Sequence, residues 1–262
     1  MSQRRDSILR EIGLGPLWRL RDRPEAGDAP AAESEAPAEP DTSAVATRPA
    51  ATPLPVAATS VPLSCLDEGR ATRIAALDWA ELKTAVAACQ DCALGRGRKQ
   101  AVLGVGDVEA DWLFVGEGPG AEEDERGEPF VGQAGKLLDA MLAAIDLRRG
   151  DNVYIANVVK CRPPNNRTPE AEETAACWPY LERQIALLKP KLIVALGRPA
   201  AQTLLRSEVK ISSTRGRLLE FNGIPLIVTY HPAYLLRNLP DKAKAWEDLC
   251  FMRRTMRNLD QS

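Results

Sequence analysis

Residues 228–236 read VTYHPAYLL, and His231 within them is the only histidine of the 262-residue chain. Imidazole is the side chain that ordinarily changes charge near neutral pH. A single copy is therefore either a device for moving a proton or hydrogen bond, or a structural residue with satisfied partners. Its place, after an apolar run and before Pro232, does not decide between the two. The cysteines offer a second chemistry. Cys89 and Cys92 form a C-x2-C pair, a spacing that lets two thiolates reach one metal centre. Cys161 ends an apolar run and Cys177 sits in a helical pattern, so these two can converge as well. Four thiolates suit zinc or a [4Fe-4S] cluster, and spacing alone leaves that choice open. Cys250 falls on a helical pattern and reads as a buried thiol without a metal.

Such groups need elements to position them. Four apolar runs, DWLFVGE, VYIANVVK, KLIVALG and IPLIVTY, read as buried strands. Helical patterns lie between them, at Gln133 to Ile145, Pro169 to Leu188 and Pro199 to Arg206; another, Lys242 to Met256, follows the last strand. Upstream, DWAELKTAVAAC places Leu82, Val86 and Cys89 at helical spacing. Strand alternating with helix predicts an α/β fold, a parallel sheet with helices on both faces. The segments GEGPGAEED, CRPPNNRTP, GRPAA and HPAYLL then lie just beyond the carboxyl ends of the strands, where open sheets of this kind place their sites.

The rest of the chain is organised differently. Residues 24–63 are dominated by Ala, Pro, Glu, Ser and Thr, with little apolar surface to offset the entropy of ordering, and read as a disordered linker. Residues 1–23 include SILREIGLGPLWRLR, a short amphipathic segment that either docks a protein partner or folds back on its own domain. The globular domain is expected over 64–262. No run is long enough to span a bilayer, and the N-terminus lacks the apolar stretch of a secretory signal, so a cytoplasmic monomer is expected. Net charge is −2, and from Leu63 onward acidic and basic residues are equal in number. That balance does not announce nucleic-acid binding, though clusters such as Lys160, Arg162 and Arg167 leave room for it.

Taken together, GEGPGAEEDERGEPFVGQAGKLLDAML, YIANVVKCRPPNNRTP, YHPAYLLRN and the four cysteines resemble the family 4 uracil-DNA glycosylases, the iron–sulfur branch of their superfamily. The likeness covers roughly residues 80–255. It implies a three-layer α/β/α sandwich around a short, mainly four-stranded parallel sheet. It also implies hydrolysis of the N-glycosidic bond of deoxyuridine in single- and double-stranded DNA, with a structural [4Fe-4S] cluster on Cys89, Cys92, Cys161 and Cys177. Uracil leaves as an anion while the sugar gains oxocarbenium character.

The resemblance assigns roles residue by residue. Phe130 stacks on the base. Asn157 pairs with uracil N3–H and O4, a pattern that cytosine reverses. His231 lies at uracil O2, where a preorganised donor favours the transition state. Leu235 or Leu236 wedges the minor groove. Asn166 holds the attacking water, with Asn165 beside it as the alternative. Glu117 orients either His231 or the first-motif loop, GEGPGAEED. Gly118 stands where the best-known branch of the superfamily has an aspartate, and Gly120 where that branch has the aromatic that bars thymine, so thymine exclusion falls to another residue, Glu123 being the candidate. Two lookalikes are rejected. AGKLL lacks the Ser/Thr and first glycine of a phosphate-binding loop. The loop Gly127 to Gly132 has no histidine, unlike a relative that cross-links itself to DNA through one. The competing readings are a glycosylase-like DNA-binding module without catalysis, in a repair or polymerase assembly, and a zinc-stabilised scaffold.

Overall fold

The computed structural model describes residues 68–261, all within one compact unit, Thr59–Ser262. The amphipathic segment, the linker and Cys65 lie outside the described residues. The chain opens with three helices, α1 (Glu68–Ala76), α2 (Trp79–Ala88) and α3 (Ala93–Gly97). The order is then β1 (Val105–Gly106), β2 (Trp112–Gly116), α4 (Ala121–Arg126), α5 (Gln133–Ala143), β3 (Val153–Asn157), α6 (Ala171–Leu188), β4 (Leu192–Leu196) and α7 (Arg198–Leu205). It ends with α8 (Ile211–Thr214), β5 (Leu219–Phe221), β6 (Ile224–Thr229), α9 (Pro232–Arg237) and α10 (Lys242–Leu259).

The strands form one sheet in the order β1-β3-β2-β4-β6-β5. The four central strands are parallel and coincide with the four apolar runs; β1 and β5 add short antiparallel edges. Alternation along the strands builds two cores. Leu113, Val115, Ala156, Ile193, Ala195 and Val228 face a layer drawn from α1, α2, α6 and α7. Trp112, Phe114, Ile155, Val194 and Ile227 face α5, α9 and α10. Because both faces are covered, every residue of β2, β3 and β4 is buried, which is why these strands read as continuous apolar runs. No helix among the described residues is long and apolar enough to cross a membrane.

Parallel strands send their following loops to the same edge, so residues far apart in sequence meet there. Helix α5 presses closely on one of these loops. An added Cβ at Gly135 would stand only 1.7 Å from the carbonyl oxygen of Phe130. In an exposed helix, Gly→Ala stabilises by up to about 1 kcal/mol. Here the sign reverses, because overpacking against fixed backbone costs about 1–3 kcal/mol. Gly135→Ala should lower the melting temperature of the domain by several degrees; a thermal melt that showed a rise would contradict this packing.

Candidate active site

Residue types at the sheet edge explain how a cavity forms there. Gly116 ends β2 and pairs in register with Asn157, which ends β3. A Cβ at Gly116 would stand 2.5 Å from Asn157 Oδ1 and 2.6 Å from Phe130 Cζ, so only glycine lets the two approach. Asn157 is buried, and its Oδ1 has no hydrogen-bond partner. A buried acceptor without a partner costs free energy unless something supplies the donor. That side chain lines a cavity of about 920 Å³ together with Glu117, Gly118, Gly120, Glu123, Phe130, Asn166 and His231. The volume is ample for a nucleotide and its solvent.

His231 caps the start of α9, with Pro232 in the first turn. Its Nδ1 accepts the backbone N–H of Ala233 at 3.1 Å. Burial pushes its pKa down to about 4, helped by Arg237 and opposed by Glu123. The imidazole is therefore neutral at pH 7, and with Nδ1 accepting, its proton sits on Nε2 as a donor. The Phe130 ring stacks beside it, with centroids 5.5 Å apart. Behind it, Gly197 follows β4 with φ +89°, and a Cβ there would meet His231 Cβ at 2.9 Å. The strand end leading into His231 is also pinned: Thr229 Oγ1 donates to the buried Asp248 carboxylate at 2.7 Å, which Arg215 also engages.

The remaining candidates divide. Glu123 lines the cavity, but its carboxylate accepts the amides of Gly120, Val131 and Gly132 at 2.9–3.1 Å and so organises the loop around Phe130. Glu117 differs from expectation. Burial raises its pKa, and its partner is the Thr168 side chain on the β3–α6 loop, rather than His231 or a group of the first-motif loop. The geometry separates the two adjacent asparagines: Asn166 lines the cavity and Asn165 does not. Both have φ near +54°, and Asn166 Oδ1 accepts from Arg162 Nε at 2.7 Å. Leu235 must be corrected as a wedge. It is 1% exposed and faces Leu137 and Met141 of α5, whereas its neighbour Leu236 is 41% exposed. One helical residue step turns a side chain by about 100°, enough to exchange core for solvent.

A second, smaller cavity lies behind β3. Cys89, Cys92, Cys161 and Cys177 all line it, with Arg98, Lys160 and Tyr180. The five described cysteines are free thiols. Burial raises the Cys161 thiol, against the lowering effect of Arg98, whose Nη1 donates to Cys161 Sγ at 2.8 Å. Burial pushes Cys177 to about 12, and the backbone N–H of Lys160 donates to its sulfur at 3.2 Å. No group of three or more His, Cys, Asp or Glu among the described residues is arranged to hold one metal ion. A single tetrahedral zinc would need all four sulfurs about 2.3 Å from one point. A cluster asks less convergence, since each thiolate binds its own iron, and the donors and N–H groups around the sulfurs suit a negatively charged cluster. The four thiols fit that group. Sequence reasoning missed Thr168 and grouped Lys160 with surface cations that could meet nucleic acid, whereas the structure buries it. Lys160 is a lysine at 1% exposure inside an apolar strand run, and its Nζ donates to the Asn157 carbonyl at 2.7 Å.

Comparison with known proteins agrees with this architecture. Residues 103–250 match the model of the uracil DNA glycosylase superfamily. The chain is 44% identical over 181 residues to a type-4 uracil-DNA glycosylase of Pyrobaculum aerophilum, covering 66% of this chain and 92% of that one. It is 49% identical over 152 residues to the type-4 enzyme of Thermotoga maritima, covering 57% and 79%, and 47% identical over 159 residues to that of Archaeoglobus fulgidus, covering 58% and 79%. The match takes in β2 through β6, the cavity at their ends and two of the four clustered cysteines, and by it the chain belongs to the uracil DNA glycosylase superfamily.

Proposed function

We propose that this protein is a monofunctional uracil-DNA glycosylase that starts base-excision repair. The observation that carries the reading is the unpartnered Asn157 Oδ1, which meets the Phe130 ring at Gly116 in a cavity that a neutral His231 also lines. An extruded base enters this cavity and stacks on Phe130. Asn157 Oδ1 accepts the N3–H of uracil, and its amide donates to O4; cytosine, with an acceptor at N3 and a donor at C4, opposes both contacts. Glu123 acts through the loop it holds, and exclusion of the thymine methyl falls to that loop, because Gly120 carries no side chain. Leu236 is the leucine placed to enter the vacated stack.

As the C1′–N1 bond breaks, its electron pair passes to uracil and charge gathers on O2. His231 Nε2–H donates there without transferring a net charge, so the contact strengthens only as the bond opens. The sugar cation is captured by water held by Asn166, and the water's second proton leaves to solvent. No carboxylate stands at Gly118 to stabilise the cation. Cys89, Cys92, Cys161 and Cys177 would hold a [4Fe-4S] cluster, which when bound ties α2 and α3 to β3 and α6 as a structural brace. Uracil-containing DNA, single- or double-stranded, is the substrate. A monomer acting in the cytoplasm at the nucleoid, with residues 1–23 engaging a protein partner through the linker 24–63, completes the proposal.

The primary experiment is excision from uracil oligonucleotides by the cluster-loaded protein. Abasic sites should appear on both strand forms, and tight binding without turnover would instead mark a binding module. His231→Ala should slow the chemical step by about 10²–10³-fold while DNA affinity changes by only a few-fold; equal losses in both would make His231 structural.

The pH dependence follows from His231. Its folded pKa, about 4, lies below the ordinary value of 6.5, so the donor stays neutral as pH falls through 6.5. The single-turnover rate should show no step near 6.5 attributable to His231. Domain stability should decline between pH 6.5 and 4, where the unfolded chain takes up the proton and the folded chain resists it. A rate inflection at 6.5 that disappears in His231→Ala would contradict this.

Cys161→Ala should lose the broad visible absorbance of the cluster or fail to fold. A folded, brown variant with a full iron content would remove Cys161 from the ligand set.

A further inference from the structure

Phe130 holds an unfavourable backbone conformation. Its φ is +54°, in the left-handed region that bulky side chains rarely occupy. Such a residue persists only where its surroundings over-determine it. On one side, Glu123 accepts the two amides that follow, Val131 and Gly132. On the other, a residue that no sequence pattern marks closes the loop. Arg149 lies in the connection between α5 and β3. Its Nη1 donates to the carbonyl of Pro129 and its Nη2 to the carbonyl of Phe130, both at 2.8 Å. The same guanidinium is held by Asp139 of α5, through Nε at 3.0 Å and Nη2 at 2.9 Å.

We propose that Arg149 is a positioning residue for base recognition: its guanidinium fork, braced by Asp139, fixes the Pro129 and Phe130 carbonyls and so keeps the Phe130 ring over Gly116 and beside His231. The proposal rests on the reading of Phe130 as the platform for uracil. A planar fork can satisfy two adjacent carbonyls and a carboxylate at once, whereas an ammonium cannot match that geometry. Without the fork the Phe130 peptide is free to return to negative φ, which carries the ring away from the cavity. Arg149 touches no substrate atom; it acts through backbone.

The test compares Arg149→Lys and Arg149→Ala with the wild type in the cluster-loaded protein. Arg149→Lys keeps the charge and most of the stem and so preserves the fold. The readouts are the single-turnover excision rate and the affinity for the same oligonucleotide carrying a tetrahydrofuran abasic analogue, which has no base to stack. Displacement of a positioning group by about 1 Å can cost on the order of 10²-fold in rate. Arg149→Ala should lose at least about tenfold in rate, with lysine restoring only part, while abasic-analogue affinity stays within about threefold. A lysine variant as fast as wild type would overturn the proposal, and so would rate and abasic affinity falling together. An inactive wild type would refute the activity itself, and the positioning role with it.

Discussion

Nothing larger than hydrogen fits at the carboxyl end of β2, and the site depends on that. Gly116 leaves the space into which the Phe130 ring, from a loop, and the Asn157 amide, from the end of β3, both reach. In-register pairing of β2 with β3 sets Asn157 directly across from it. The sheet supplies this convergence because parallel strands deliver their loops to one edge. The two cores, one on each face, then hold the strands at the register that makes Gly116 and Asn157 neighbours.

Around that gap several polar groups are committed to fixed partners. Glu123 is saturated by amides, Arg149 by carbonyls and Asp139, and His231 Nδ1 by the Ala233 amide. Each commitment removes a degree of freedom from the loop it touches. The Asn157 oxygen and the Nε2 face of a neutral imidazole stay available to a ligand. Preorganised donors and acceptors of this kind need no rearrangement as charge develops, which is where electrostatic stabilisation is most effective. Keeping His231 neutral also avoids placing a cation where a lowered pKa would make it costly to hold.

Much of this was legible in the sequence, and the remainder was not for physical reasons. The four central strands announce themselves because both faces are buried, leaving unbroken apolar runs. The edge strands β1 and β5 are two and three residues long, too short for any period, and β1 ends at Gly106 with φ +135°. All four loops contribute residues to one cavity, though Cys161, Asn165 and Leu235 lie outside it. The partners of the cavity residues were hidden, because Glu117 with Thr168 and Arg149 with Phe130 are contacts between loops that no spacing encodes. Leu235 and Leu236 are adjacent and identical in type, so only the phase of α9, set where Pro232 starts it, sorts core from surface.

The same strand end joins the two cavities. Residues 157–161 carry the cavity-lining Asn157 amide at one end and a clustered cysteine at the other. Between them Lys160 is fully enclosed, its Nζ on the Asn157 carbonyl and its backbone N–H on Cys177 Sγ. Burial pushes its pKa down to about 8, while Cys177 and Cys161 favour its charged form. A buried ammonium is tolerated only beside acceptors and negative charge. The Asn157 carbonyl supplies the acceptor, and the sulfurs would supply negative charge as ligands of a cluster, so whatever fixes the sulfurs also fixes the far side of the strand that ends at Asn157.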